Sequence, residues 1–306
     1  AAEMRDRVKQ ELGSERSSLI TISTFHSLGL NILKEESVAL GLGRNFTLFD
    51  QYDSFKLIKD IVREKFPQIL VDNSEKTVVE EIATDISTWK TSLLRPEDIA
   101  VRTIRVQVYE AYQAYLSACN AADFEDLIFK TTLLLRDNQA VRDKWSSYYK
   151  YILVDEYQDT NETQYQLLKY LTSKNKRFTV VGDDDQSIYA WRGARPENIK
   201  VLSNDFPDLK VIKLEQNYRS TQHILNCANK LISNNEHIFN KTLYTKSNVG
   251  KKVQIMELRT QNDEADRVVQ LILAHQFRTH SQWKEYAVLY RSNSQSRPLE
   301  KAFREA

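Results

Sequence analysis

A chain of 306 residues with a net charge of +1 is long enough for two or three compact units, and too nearly neutral to hold a polyanion by bulk electrostatics alone. Hydrophobic residues at 41% and charged residues at 28% are ordinary globular usage, and no run of about 18 apolar residues marks a membrane span. Cys119 and Cys227 are too few and too far apart for a disulfide framework or a zinc ribbon, which fits a reducing cytosol. The charge leaves room for single-strand binding in a local basic groove with aromatic platforms, where stacking contributes roughly 1–3 kcal/mol per base.

The first residues, Ala-Ala-Glu-Met-Arg-Asp-Arg-Val, lack the apolar core of a secretory signal and read as a helix entered partway along. Residues 18–25 are apolar and β-branched, which predicts a strand ending in Thr24-Phe25-His26-Ser27 before a helix. Across residues 45–116, Phe55, Ile58, Ile61, Val62 and Phe66 recur at spacings of three and four, as do Val78, Ile82 and Ile86. Pro67 and Pro96 fall between these runs, so the region reads as an all-helical insertion. Tyr151-Ile152-Leu153-Val154 and Phe178-Thr179-Val180-Val181 then have the form of buried parallel strands flanking a helix over 163–171, an α/β order. A second such series runs from Val211-Ile212-Lys213-Leu214 through a helix over 221–233, a strand over 253–258 and a helix over 263–277. It ends with a strand at Ala287-Val288-Leu289-Tyr290 and a last helix reaching Ala306, a second sheet begun but not closed.

Seven glycines permit a full check for phosphate loops. The one Gly-Lys pair, Gly250-Lys251, has Thr245 five residues earlier and Lys252 after it, so these 306 residues contain no Walker A loop. Gly41-Leu42-Gly43 fails as a dinucleotide fingerprint because Phe46 holds the third glycine position.

The strongest chemical signal is Ile152-Leu153-Val154-Asp155-Glu156, an apolar strand delivering two carboxylates to its carboxyl end, where open α/β sheets bind ligands. Phosphoryl transfer needs one carboxylate for Mg²⁺ and a second group to orient or deprotonate water, roles that suit Asp155 and Glu156. The same pair can instead cap the following helix. Val180-Val181-Gly182-Asp183-Asp184-Asp185-Gln186 also ends in polar groups past a strand, and Gln186 can set its amide on a phosphate or on the attacking water. A calcium loop or a nuclease carboxylate cluster is the rival reading of three consecutive aspartates, and the absence of the EF-hand spacing speaks against it. In an extended segment Tyr189 and Trp191 share one face, and Arg192 lies on the other, so one loop can touch both bases and phosphate unless the rings are core.

Read together, Val154-Asp155-Glu156-Tyr157-Gln158-Asp159-Thr160-Asn161, then 181–194 from Val181-Gly182-Asp183 to Trp191-Arg192-Gly193-Ala194, then Leu214-Glu215-Gln216-Asn217-Tyr218-Arg219-Ser220 resemble motifs II, III and IV of the UvrD/Rep/PcrA family of superfamily 1 DNA helicases. Thr24-Phe25-His26-Ser27 is similar to motif Ib, Asp123-Phe124-Glu125-Asp126-Leu127 to a further family segment, and Leu289-Tyr290-Arg291-Ser292-Asn293 to motif IVa. Asp-Asp-Asp-Gln and Arg-Gly-Ala-Arg-Pro look closest to the Rep branch. The resemblance implies partial RecA-like, P-loop NTPase-type parallel-sheet domains with an all-helical insertion: 1A over 1–44 and 119–210, 1B over 45–118, and 2A over 211–306. It implies ATP and Mg²⁺ as cofactors, with Asp155 on the metal, Glu156 as general base, Gln186 and Arg219 on the γ-phosphate, and Tyr218 on adenine. Tyr189 and Trp191 would stack on single-stranded bases, Arg192 would link the DNA and ATP sites, and Thr24, Phe25 and His26 would lie along the strand. Arg291 and Asn293 are further DNA-contact candidates.

The resemblance thus implies a cytoplasmic, nucleoid-associated 3′→5′ translocase acting on single-stranded DNA and on single-strand/duplex junctions in replication or repair, with self-association or replication and repair proteins as partners. It places the Walker A lysine before Ala1 and motifs V and VI beyond Ala306, so these residues alone are expected to be a poor ATPase. A non-catalytic DNA-binding module is the first alternative, and joint retention of Asp155, Glu156, Gln186 and Arg219 speaks against it. A RecB/AddA-like helicase–nuclease subunit is the second, distinguished by a downstream nuclease domain.

Overall fold

The computed structural model describes residues 1–43, 45–70, 74–190 and 193–306. The chain forms two compact units: Ala1–Lys213 with Ile232–Lys241, and Leu214–Leu231 with Thr242–Ala306. No helix among the described residues is long and apolar enough to cross a membrane.

The first unit opens with α1 (Ala2–Ser18), interrupted at Gly13, whose φ of 78° and ψ of 165° are non-helical. The strand expected over 18–25 is not formed. Ser18 closes α1, Thr24 caps α2 (Phe25–Glu35), and the Ile22 carbonyl accepts from Arg5 Nη2 at 2.8 Å. An apolar β-branched run records a tendency, whereas a strand requires a ladder partner.

The insertion is built from α3 (Gln51–Lys65), α4 (Glu75–Thr91) and α5 (Ile104–Ala118). The sequence periodicity finds its cause in one core, where Ile58, Ile61 and Val62 meet Val79, Ile82, Ile86, Tyr109 and Tyr112. Asp50 and Asp53 form a capping box that starts α3, and Thr103 caps α5. An all-helical reading of this region is incomplete, because β1 (Thr47–Phe49) pairs in parallel with β2 (Ala121–Asp123). Three-residue strands are too short for alternation to register in the sequence.

Helices α6 (Asp126–Asp137) and α7 (Gln139–Tyr148) lead into β3 (Ile152–Val154), α8 (Glu162–Leu171) and β4 (Phe178–Val180). Strands β3 and β4 are parallel, with Ile152 opposite Phe178 and Val154 opposite Val180. This strand–helix–strand unit is the α/β, RecA-like element expected from the sequence, but the strands are not buried as expected: Tyr151, Leu153 and Val181 are exposed, because the two-stranded sheet leaves one face uncovered. Val154, Tyr157, Tyr165 and Leu168 pack with Leu202 of α9 (Asn198–Asp205) beneath it.

In the second unit, α10 (Gln222–Ile232), α11 (Gln261–Thr279) and α12 (Ser296–Glu305) match the expected helices closely, and Ala265, Val269 and Ala302 are buried together. The strands expected at 253–258 and 287–290, and the one at 211–214 that spans the boundary between the units, are absent. A single parallel bridge, Gln216 to Tyr244, is the β-pairing among the described residues here. Ile212, Leu214, Ile255 and Leu289 are exposed. These runs have the composition of buried strands but lack the paired neighbour that makes one.

Lys90 joins the insertion to the α/β layer. Fully buried at the end of α4, its ammonium pairs with Asp123, and with Asp126 Oδ1 at 2.8 Å. Removing one member of such a group strands the others without water. Lys90→Met should therefore cost about 3–5 kcal/mol of unfolding free energy, read from urea melts.

Candidate functional site

The acidic pair stands where β3 ends. Val181 N donates to the Val154 carbonyl at 2.8 Å and Tyr157 N to the Val181 carbonyl at 2.9 Å, so pairing continues past both strands and brackets Asp155 and Glu156. Both carboxylates are exposed. Glu156 has φ 51° and ψ 45°, a left-handed conformation that costs a non-glycine residue roughly 1–2 kcal/mol. Its neighbours hold it there: Asp159 N donates to its carbonyl at 3.0 Å, and its own N–H donates to Asp155 Oδ1 at 3.1 Å.

Gln158, buried one turn on, ties this pair to the next strand. Its Nε2 donates to Glu156 Oε2 at 2.7 Å, and its Oε1 accepts from Asp183 N at 3.0 Å. A backbone N–H can only donate and a carboxylate only accept, so the orientation of the amide is fixed. Gly182 makes room for it, since a Cβ there would lie 2.7 Å from Gln158 Oε1 and 3.2 Å from its backbone N. Gly182→Ala should displace this buried amide and destabilise the protein by about 1–3 kcal/mol, measured by urea unfolding.

After β4 the chain turns through Asp184–Gln186. Gln186 Nε2 donates to Asp183 Oδ2 at 2.7 Å, and Asp183 Oδ1 accepts from Asp185 N at 3.1 Å. The aspartates find their partners within the unit. Lys241 Nζ pairs with Asp183, with Asp184 at 2.7 Å and with Asp185 at 3.0 Å, while His237 Nδ1 lies 2.9 Å from Asp185 Oδ1. Burial disfavours the Lys241 ammonium, but the three carboxylates outweigh it and hold its pKa above the ordinary lysine value. Burial likewise works against Asp183 and Asp184 as anions, and Lys241 together with hydrogen bonds from Gln186 and from the backbone N–H groups of Asp185, Ile238 and Phe239 more than offsets it, leaving both below the usual carboxylate range. Asp184, Asp185 and His237 bring ligand atoms within 4.8 Å of one another, as a calcium or nuclease cluster would. The ammonium already stands among them as their cation.

On α2, Thr24 Oγ1 accepts from Ser27 N at 3.2 Å, and Phe25 packs against two of the hydrophobic cores. The His26 ring stacks on Phe124 with centroids 4.0 Å apart and planes at 20°. Burial lowers the pKa of His26, which favours the neutral imidazole, while Phe124 is exposed. Tyr189 is partly exposed, and its carbonyl accepts from Ala194 N at 3.2 Å. Trp191 and Arg192 lie outside the described residues. Gly193 at φ 82° closes this loop beside α4, where a Cβ would sit 3.1 Å from Thr91 Oγ1.

The second unit holds the remaining candidates. Asn217 N donates to the Tyr244 carbonyl at 2.7 Å, and Asn217 Oδ1 accepts from Arg219 N at 2.9 Å and Ser220 N at 2.7 Å. This turn leaves Tyr218 and Arg219 exposed. Arg291 and Asn293 are also exposed, on a turn where Gln295 Oε1 accepts from Arg291 N and Ser292 N, each at 2.9 Å.

Gln158, Lys241, His237, Phe124 and Lys90 are absent from the residues the sequence reading singled out for roles. Phe124 carried a signal, lying inside a matched segment. Lys241 carried none, because its three partners are more than fifty positions away.

A family model of the UvrD/REP helicase N-terminal domain matches residues 1–207, and one of the UvrD-like helicase C-terminal domain matches 212–306. The chain belongs to the UvrD/Rep helicase family. It is similar to the ATP-dependent DNA helicase Rep of Escherichia coli K12, 47% identical over 307 residues, covering 98% of this chain and 45% of that relative. The Rep of Salmonella typhimurium is also 47% identical over the same shares. The ATP-dependent DNA helicase PcrA of Staphylococcus epidermidis is 41% identical, covering 99% of this chain and 41% of the relative. The chain spans less than half the length of these curated relatives.

Proposed function

We propose that the full-length protein carrying this chain is an ATP-dependent DNA helicase that moves 3′→5′ along single-stranded DNA and opens junctions in replication or repair. The observation that carries the reading is the exposed Asp155–Glu156 pair at the carboxyl end of β3, with Glu156 clamped by Gln158 to the strand end that leads to Gln186. The joint presence of Asp155, Glu156, Gln186 and Arg219 supports a hydrolase over a binding module, since binding DNA requires none of them. The family relationship supports domains 1A at 1–44 and 119–210, 1B at 45–118 and 2A at 211–306.

Asp155 fits a hard cation: it is exposed, and the hydrogen bond it accepts, from Glu156 N, engages one oxygen and leaves the other open. Mg²⁺ bound there with ATP would neutralise charge on the terminal phosphates. Glu156 takes the proton of the attacking water, and Gln158 holds its carboxylate in place for that transfer. Gln186 contacts the γ-phosphate; Arg219 and Tyr218, exposed on their turn, supply a guanidinium to that phosphate and a ring to adenine. Thr24 and His26, with Phe25 anchoring them in the core, lie along the DNA strand, where the His26–Phe124 stack adds a flat neutral surface. Tyr189 and Trp191 stack on bases, Arg192 links the two sites, and Arg291 and Asn293 add DNA contacts.

In the full-length protein, Glu156→Gln should lower oligo-dT-stimulated phosphate release by on the order of 10²-fold or more while leaving oligonucleotide affinity intact. Undiminished hydrolysis would refute the assignment. Unwinding of duplexes with a 3′ but not a 5′ single-stranded tail tests the direction.

A further inference from the structure

Gln186 is exposed, and the hydrogen bond that holds its side chain is the one to Asp183 Oδ2, at 2.7 Å. Because a carboxylate only accepts, Nε2 must face Asp183, and the amide presents Oε1 and its remaining N–H outward. The usefulness of that orientation depends on whether the Asp183 carboxylate can turn. Its other oxygen is fixed by Asp185 N at 3.1 Å and by the Lys241 ammonium, which also reaches Asp184 and Asp185.

Lys241 ends a strap. Residues Ile232–Lys241 belong to the first unit, while the chain on either side of them belongs to the second. The strap is fastened independently of Lys241: Ile238 N donates to Asp184 Oδ2 at 2.9 Å, His237 Nδ1 meets Asp185 Oδ1 at 2.9 Å, and Lys213 Nζ donates to the Asn240 carbonyl at 2.7 Å. None of these bonds touches Asp183. Lys241 is the member of the strap bonded to the carboxylate that steers Gln186, and the same ammonium reaches Asp184 and Asp185.

We propose that Lys241 is a positioning residue for Gln186, acting through Asp183, so that the amide meets the γ-phosphate already oriented. The proposal rests on the reading of Gln186 as a γ-phosphate contact. Loss of the ammonium leaves Asp183 Oδ1 held by Asp185 N alone, so the carboxylate is less firmly set and the amide less well ordered at each binding event, a misplacement that costs rate out of proportion to its size.

The test compares full-length variants by two readouts: oligo-dT-stimulated turnover, and the ratio of affinities for the non-hydrolysable analogue AMP-PNP and for ADP, which isolates the γ-phosphate. Gln186→Ala should depress both. Lys241→Met should reproduce that pattern, with turnover down about tenfold, the AMP-PNP preference reduced and ADP affinity unchanged. Lys241→Arg should restore most of the preference, and His237→Ala, which loosens the strap but spares Asp183, should leave it intact. If Lys241→Met melts early, Lys241→Gln, which keeps a donor but no charge, is measured in its place and should show the same reduction. A normal preference in the lysine variants beside a defective Gln186→Ala overturns the proposal and spares the underlying reading. Equal losses in His237→Ala and Lys241→Met make the strap merely structural and overturn it too. A normal preference in Gln186→Ala removes the γ-phosphate role and the proposal with it.

Discussion

The buried ammonium of Lys90 is the point on which the first unit is assembled. It leaves α4, meets Asp123 at the end of β2 and Asp126 at the start of α6, and lies over the ring of Tyr112 in α5. The Lys90 carbonyl accepts from Thr163 Oγ1 of α8 at 2.7 Å, so one residue touches every layer between the insertion and the β3–α8–β4 unit. Desolvation alone would push its pKa down; Asp123 and Asp126 reverse this and hold it above the ordinary value. The cluster closes electrically, since Lys130 lies 3.1 Å from the second oxygen of Asp126 and Tyr112 donates to Asp123 at 2.9 Å. Buried ion groups contribute less net stability than equivalent apolar packing, but they tolerate few alternative arrangements. Here that intolerance fixes α4 against β2 and α6, while the Thr163 hydrogen bond ties to the same residue the helix α8 that lies between β3 and β4 in the chain.

Short-range physics was the part legible in the sequence. Ile152-Leu153-Val154-Asp155-Glu156 announces a strand and a site in five residues, because apolar continuity and a sudden carboxylate pair are both local properties. The periodic runs in α3 and α4 were readable for the same reason, as were the helices of the second unit. The strands expected at 211–214, 253–258 and 287–290 were not realised, since a sheet is a property of two segments and each run reports on one. The same rule hid β1 and β2, which are brief and lie over seventy residues apart in register.

The site divides along the same line. Asp155, Glu156, Gln186, Tyr218 and Arg219 stand on motifs whose residues are contiguous. What holds them does not: Gln158 reads as one more polar residue until its amide is seen spanning Glu156 and Asp183, and Lys241 reads as one more surface lysine until three aspartates are found around it. The left-handed backbone of Glu156 is likewise silent in the sequence, where no glycine or asparagine announces it.

The excursion of residues Ile232–Lys241 into the first unit makes that unit discontinuous, and this limits how the molecule can be taken apart. A cut after Lys213 would look clean on a linear map, yet it would carry off the lysine and the histidine that answer Asp183, Asp184 and Asp185. The severed lobe would keep three neighbouring carboxylates with no counterion of their own, free to recruit protons or stray metal. Dissection at that boundary would thus yield a lobe with altered chemistry beside the carboxyl end of β4, and modularity in the gene would be a poor guide to modularity in the protein.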